Sequence, residues 1–207
     1  MSGSGESMAL DIGIKEWAGV IAAMGRGDQL ILIRKYAPGD RALLLFPTHS
    51  YYSSGSSKKS MAFERKIQPV YRELAREAAL SELADASIVR LQFFFEVEQV
   101  VHITEKALLP ILEPYMIWST EHVSEYFDSA KAAGGLYVWL GQTYRLQSPA
   151  SVARQSTRGS ISVFRLHESV DTAHARPCLE QTWYSKMSCD LVEALSTGGA
   201  SFFQIYA

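Results

Sequence analysis

Three side chains that could grip an anion lie close together in the chain: Arg34, Lys35 and His49. They stand at ends of two neighbouring β-rich runs, residues 29–34 (QLILIR) and 42–47 (ALLLFP), so the three could converge on one anion. A guanidinium presents paired donors to a phosphate and an ammonium adds a point charge. An imidazole beside them titrates near neutrality. Arg41, Lys58 and Lys59 continue the positive character, and residues 34–76 hold nine basic against three acidic residues, a local charge of +6. Residues 77–207 carry −6. The asymmetry fits a phosphate-bearing ligand, nucleic acid among the candidates, and it equally fits a solvated basic face balanced by an acidic neighbour.

Carboxylate patterns offer a competing chemistry. Residues 77–85 (EAALSELAD) resemble part of a Nudix hydrolase box, in which helix carboxylates hold a divalent metal beside a diphosphate. Glu82 and Asp85 match two of the acids, but Ser81 replaces the arginine, Ala86 replaces the last acid and no glycine follows. Glu64-Arg65-Lys66 has the glutamate–lysine spacing of a nuclease motif, with Asp40 as its acidic partner, yet it falls at a predicted helix start instead of on a strand. His102, His122, His167 and His174 show neither HxxxH nor HxH spacing, so no metal or other cofactor is expected. Trp17, Trp118 and Trp139 would stack bases if exposed, although tryptophans in apolar runs usually enter the core. The preferred reading is a noncatalytic binding or adaptor module. A divergent metal-dependent phosphohydrolase or nuclease comes second, and a structural subunit that docks on a protein partner comes third.

The elements that must position these groups follow from periodicity. Residues 16–24 (EWAGVIAAM), although able to begin helically, and 29–34 read as an antiparallel hairpin through the glycines at 25 and 27, with 42–47 as a third strand. The Ser-rich segment 50–60 reads as a mobile loop. Ile67, Val70, Tyr71, Leu74, Ala78 and Leu83 recur near the helical period. Residues 88–103 form the longest β-like run, with Glu96 and Glu98 on one solvent face. A short helix interrupted by Pro110 follows at 105–115, and Ser119 or Thr120 caps another that runs to about residue 132, before Gly134-Gly135. Strands at 136–146 and 161–166 flank a loop at 147–160. Residues 179–195 read as an amphipathic C-terminal helix on Trp183, Met187 and Leu191. Cys178 and Cys189, both assigned to that helix, would lie about 16 Å apart at ~1.5 Å per residue, so they are expected as buried free thiols. This order implies an α+β fold with a mostly antiparallel sheet, packed helices and the C-terminal amphipathic helix.

A chain of 207 residues, 47% hydrophobic and 20% charged, folds over most of its length. Residues 1–7 (MSGSGES) read as a tag or disordered start, 8–170 as the α+β domain, and 171–207 as a helical extension packed on it. No run approaches the ~18 apolar residues of a membrane span, and no basic-then-apolar leader opens the chain. No membrane association and a cytoplasmic location are therefore expected.

Lys15-Glu16-Trp17-Ala18, Leu32-Ile33-Arg34-Lys35 and Phe46-Pro47-Thr48 closely match the opening motifs of the domain of unknown function family 1802. Met116-Ile117-Trp118-Ser119, Leu136-Tyr137-Val138-Trp139 and Tyr144-Arg145-Leu146 match more loosely. The chain resembles that family from about residue 13 to 166. Tyr36-Ala37 replaces a pair of glycines, His49-Ser50 stands where the family has a polar EHQ, and Ser160-Ile161-Ser162-Val163 lacks the family's Cys and Trp. The resemblance implies a fold and carries no activity to transfer.

Overall fold

The computed structural model describes residues 9–49, 57–84, 87–130, 134–154 and 162–203, without the side chains of Ser57 and Lys59. The Met1–Ser7 start, most of the Ser-rich segment and the Asp85-Ala86 end of the Nudix-like stretch lie outside these residues.

Strand β1 (Ala9–Trp17) passes without a loop into helix α1 (Ala18–Arg26), so the expected hairpin does not form. The cause is local: the stretch after Trp17 is built on alanines, glycine and methionine, with only Val20 and Ile21 β-branched. Gly27, at φ 81°, then caps α1 by returning its N–H to the carbonyls of Ala23 and Met24. Strand β2 (Ile31–Arg34) therefore pairs antiparallel with β5 (Leu136–Ala153), Ile31 facing Leu140 and Arg34 facing Tyr137. Strand β3 (Ala42–Thr48) lies parallel to β1, with Trp17 beside Thr48.

Helix α2 (Ser57–Glu64) takes up the last part of the segment expected as a loop, and α3 (Arg72–Leu83) follows a 3-10 turn at Pro69–Tyr71. Strand β4 (Ile88–Ile103) pairs with β5, which continues past the expected residue 146 to Ala153. At Glu98 a register shift leaves that residue without an opposite number, Val97 facing Gly141 and Gln99 facing Leu140. The bulge breaks simple alternation: Glu98 is exposed while Val100 and Val101 are both buried. Lys106–Tyr115 is a 3-10 helix, as suits a segment whose Pro110 and Pro114 cannot donate to an α-helical ladder. Helix α4 (Thr120–Asp128) starts where Ser119 Oγ accepts the His122 N–H at 3.2 Å.

Strand β6 (Val163–Asp171) runs antiparallel to β1, and β7 (Arg176–Pro177) pairs with β5. Helix α5 (Gln181–Thr197) and β8 (Ser201–Phe203), which pairs with β4, complete the described chain. The buried face of α5 is Tyr184, Leu191 and Leu195, with Met187 partly buried beside it, so of the expected stripe Trp183, Met187 and Leu191 only Trp183 is exposed. Cys178 precedes α5, half-buried, and Cys189 on α5 is exposed, so the expected pair of buried thiols in one helix is not what forms.

The fold is α+β with a mixed sheet, mostly antiparallel, ordered β2-β5-β4-β3-β1-β6. A flat sheet of that order would hold β1 and β2 about 19 Å apart at ~4.8 Å per strand. Side chains from their ends nevertheless touch, so the sheet curls on itself. The concave side holds Ile14, Leu32, Leu43, Phe95 and Trp139 in one apolar cluster. Among the described residues no helix is long and apolar enough to cross a membrane.

Candidate functional site

The curl brings the C-terminal ends of β1 and β2 together. Glu16 is 4% exposed, and its Oε2 accepts from an Arg34 guanidinium N–H at 2.6 Å. Its Oε1 accepts the Trp17 backbone N–H at 2.7 Å, and the other arm of Arg34 donates to the Ile33 carbonyl at 2.9 Å. Thr48 at the end of β3 donates its hydroxyl to the Glu16 carbonyl at 3.0 Å. Burying two charges this way is tolerated only because their remaining hydrogen-bonding capacity is also used.

Over this pair opens a cleft of about 150 Å³, walled by Trp17, Trp118, His122 and Tyr126. Trp17 stacks on Phe63 of α2 with centroids 4.6 Å apart and planes 18° from parallel. Trp118 stands edge-on to Trp17 and to Phe63, at 6.2 and 6.1 Å. The His122 ring lies 5.1 Å from that of Trp118, and its Nδ1 is buried without a hydrogen-bond partner among the described residues. Burial, aided by the nearby Lys66 ammonium, pushes His122 down to about 4, so it is neutral at pH 7. Burial pushes the Tyr126 phenol up. Lys35 closes the rim, its ammonium 4.9 Å over the Tyr126 ring and 3.2 Å from the Ser129 carbonyl.

The residues expected to bind an anion thus fall in different places. Arg34 and Lys35 meet at the cleft. Arg41 precedes β3 at the other end, about 23 Å along the strand from Thr48 at ~3.3 Å per residue, and pairs with Glu96 at 3.0 Å. His49 is lowered by burial and by Arg154, which sits by Pro47 and Glu82. Lys58 is exposed on α2. The Lys59 side chain lies outside the described residues. Elsewhere in the +6 segment, Arg76 pairs with Glu64 and Glu73, and Arg72 donates to the Glu64 carbonyl.

The carboxylates of the competing chemistry are occupied by arginines: Glu82 by Arg154 at 3.1 Å and Glu64 by Arg76 at 3.0 Å. Among the described residues no three His, Cys, Asp or Glu side chains are placed to hold a metal. Trp139 is fully buried and donates its indole N–H to the Tyr36 carbonyl at 3.0 Å, whereas Trp17 and Trp118 are half-buried at the cleft.

Glu16, His122 and Tyr126 were not singled out from sequence as binding residues. The available signal was the set of short motifs: Glu16 and Trp17, Arg34 and Lys35, Thr48, and Trp118 come from four separate matched stretches and converge on one cleft. An α+β unit with a curled mixed sheet and one aromatic cleft at the junction of β1, β2 and β3 is the class that these features define.

The chain belongs to the family described as Domain of unknown function (DUF1802), whose model matches residues 13–189. No curated protein matches it in sequence. Among solved structures it is similar to the ASCH protein from Zymomonas mobilis, at 11% identity and a TM-score of 0.44, covering 86% of this chain and 93% of that one. A mutant form of the same Zymomonas mobilis protein gives 12% identity and a TM-score of 0.42, covering 86% and 96%.

Proposed function

We propose that the protein is a noncatalytic module that binds single-stranded nucleic acid, taking an unpaired base into the aromatic cleft and placing the adjoining phosphates on Lys35 and Lys66. The carrying observation is the cleft itself: indole and imidazole walls for a planar ring, a buried carboxylate and guanidinium at its floor, and ammonium groups at its rim. Stacking contributes about 1–3 kcal/mol per base and tolerates any base.

The test is fluorescence anisotropy with labelled single-stranded RNA, single-stranded DNA and duplex DNA at low salt. Both single strands are expected to bind more tightly than the duplex, and Trp118→Leu is expected to weaken them by about 10- to 100-fold, the equivalent of one stacked base. No binding of any strand at low salt overturns the reading, as does equal binding by Trp118→Leu.

A further inference from the structure

A second cavity, of about 290 Å³, lies between α1 and α3 and the adjoining parts of β3, β4 and β5. Small apolar residues such as Ala22 and Ala78 form part of its surface, and Arg26, Arg90 and Arg145 reach it from three different elements. Among the described residues the one carboxylate on its lining, Glu82, is held by Arg154 at 3.1 Å. Four guanidinium groups therefore face one carboxylate. The C-terminal ends of α1 and α3, which both line the groove, each contribute about half a negative charge, which leaves an excess of roughly two positive charges.

The arginines are not loose surface charges of one segment. Arg145 lies opposite Phe93 across the β4–β5 ladder, with its guanidinium carbon 4.6 Å from that ring, and donates to the Gly25 carbonyl at 3.4 Å. Gly25 makes this possible, because a Cβ there would come within 2.5 Å of the Phe93 ring. Arg90 shares the exposed face of β4 with Gln92, where the ladder shifts register and turns that face toward α3. Arg26 and Arg90 have no acidic partner among the described residues.

We propose that this groove is a phosphate site for a compact nucleoside polyphosphate, its phosphates on Arg26, Arg90 and Arg145 and its organic body on the alanine surface. Planar guanidinium forks match phosphate oxygens in pairs, and the apolar lining suits a sugar or base better than a bare ion. None of these residues belongs to the aromatic cleft, so the site does not depend on the function proposed for that cleft.

Isothermal titration of the full chain with inorganic pyrophosphate, ATP and adenosine tests it. Pyrophosphate and ATP are expected to bind, ATP more tightly, and adenosine not to bind. The double variant Arg26→Gln/Arg90→Gln is expected to lose at least about tenfold for both, with oligonucleotide binding unchanged. Arg90→Lys, which keeps the charge without the planar fork, is expected to fall between the two and guards against misfolding of the double variant. Absence of pyrophosphate and ATP binding, or binding indifferent to the double variant, overturns the assignment. Equal loss of oligonucleotide binding in the double variant also overturns it, because the groove would then be part of a strand path.

Discussion

Glu16 and Arg34 join two strands that stand four positions apart in the sheet, meeting at 2.6 Å with 4% and 13% of their side chains exposed. The pair closes the curl and floors the cleft at once. Removing one partner leaves the other charged and buried, which typically costs about 3–5 kcal/mol. Glu16→Gln and Arg34→Met are each expected to destabilise the fold by that amount in urea unfolding. The double variant Glu16→Leu/Arg34→Met is expected to be less destabilised than either, because an apolar pair leaves no orphan charge. Nearly neutral single variants would show that the pair does not hold the curl.

That relationship also marks the limit of what was legible beforehand. Periodicity reveals elements whose burial is decided locally, so the long β4 stands where its Val, Ile and Phe placed it, whereas α3 begins only at Arg72 and buries Ala75 and Ala79 while Val70 is exposed. Glu16 to Met24 misled because a run of small apolar residues is compatible with either state, and only packing of Gly19 on Ala75 makes the helix fit. The Arg34–Lys35 end of β2 does face a cleft, but its acidic counterpart comes from a strand reached only through β5, β4 and β3. No local pattern records such a closure. The Arg26, Arg90 and Arg145 groove was hidden for the same reason: its arginines lie far apart in sequence, outside the basic segment that the charge count picked out.

His122 links the cleft to acid stability. Its folded-state value is near 4 against an ordinary 6.5, so between these values the unfolded chain binds the proton and the folded chain does not. Stability from this residue is therefore full above about pH 6.5, falls as the pH drops toward 4, and then levels off. Discounted for solvent screening at this half-buried site, the whole effect is on the order of 1–2 kcal/mol. His122→Asn is expected to flatten the pH dependence of the urea midpoint between pH 4 and 6.5. An unchanged slope in that variant would assign the acid sensitivity to other groups.

Gly19 sets the closeness of α1 and α3. A Cβ on it would lie 2.6 Å from the Ala75 Cβ and 2.8 Å from its Cα, and the latter is backbone that cannot swing away. Gly19→Ala gains roughly 1 kcal/mol of helix propensity but forces the helices apart, and overpacking typically costs about 1–3 kcal/mol. The variant is expected to be less stable by about 1 kcal/mol in thermal unfolding. A stabilised Gly19→Ala would mean that propensity outweighs the contact.

The rim lysines and the aromatic wall of the cleft separate by salt. Each phosphate neutralised by a lysine releases counterions, so log K falls with log salt by about 0.7 per contact on a single strand. Lys35→Gln and Lys66→Gln are each expected to lower that slope by about this amount and to weaken binding to all sequences alike. Trp118→Leu removes a stacking surface and no charge, so it is expected to weaken binding with the slope unchanged. Anisotropy titrations across a salt series distinguish the two. A lysine variant that leaves the slope intact would take that lysine out of phosphate contact, and a Trp118→Leu variant that changes only the slope would show that the base does not enter the cleft beside Arg34.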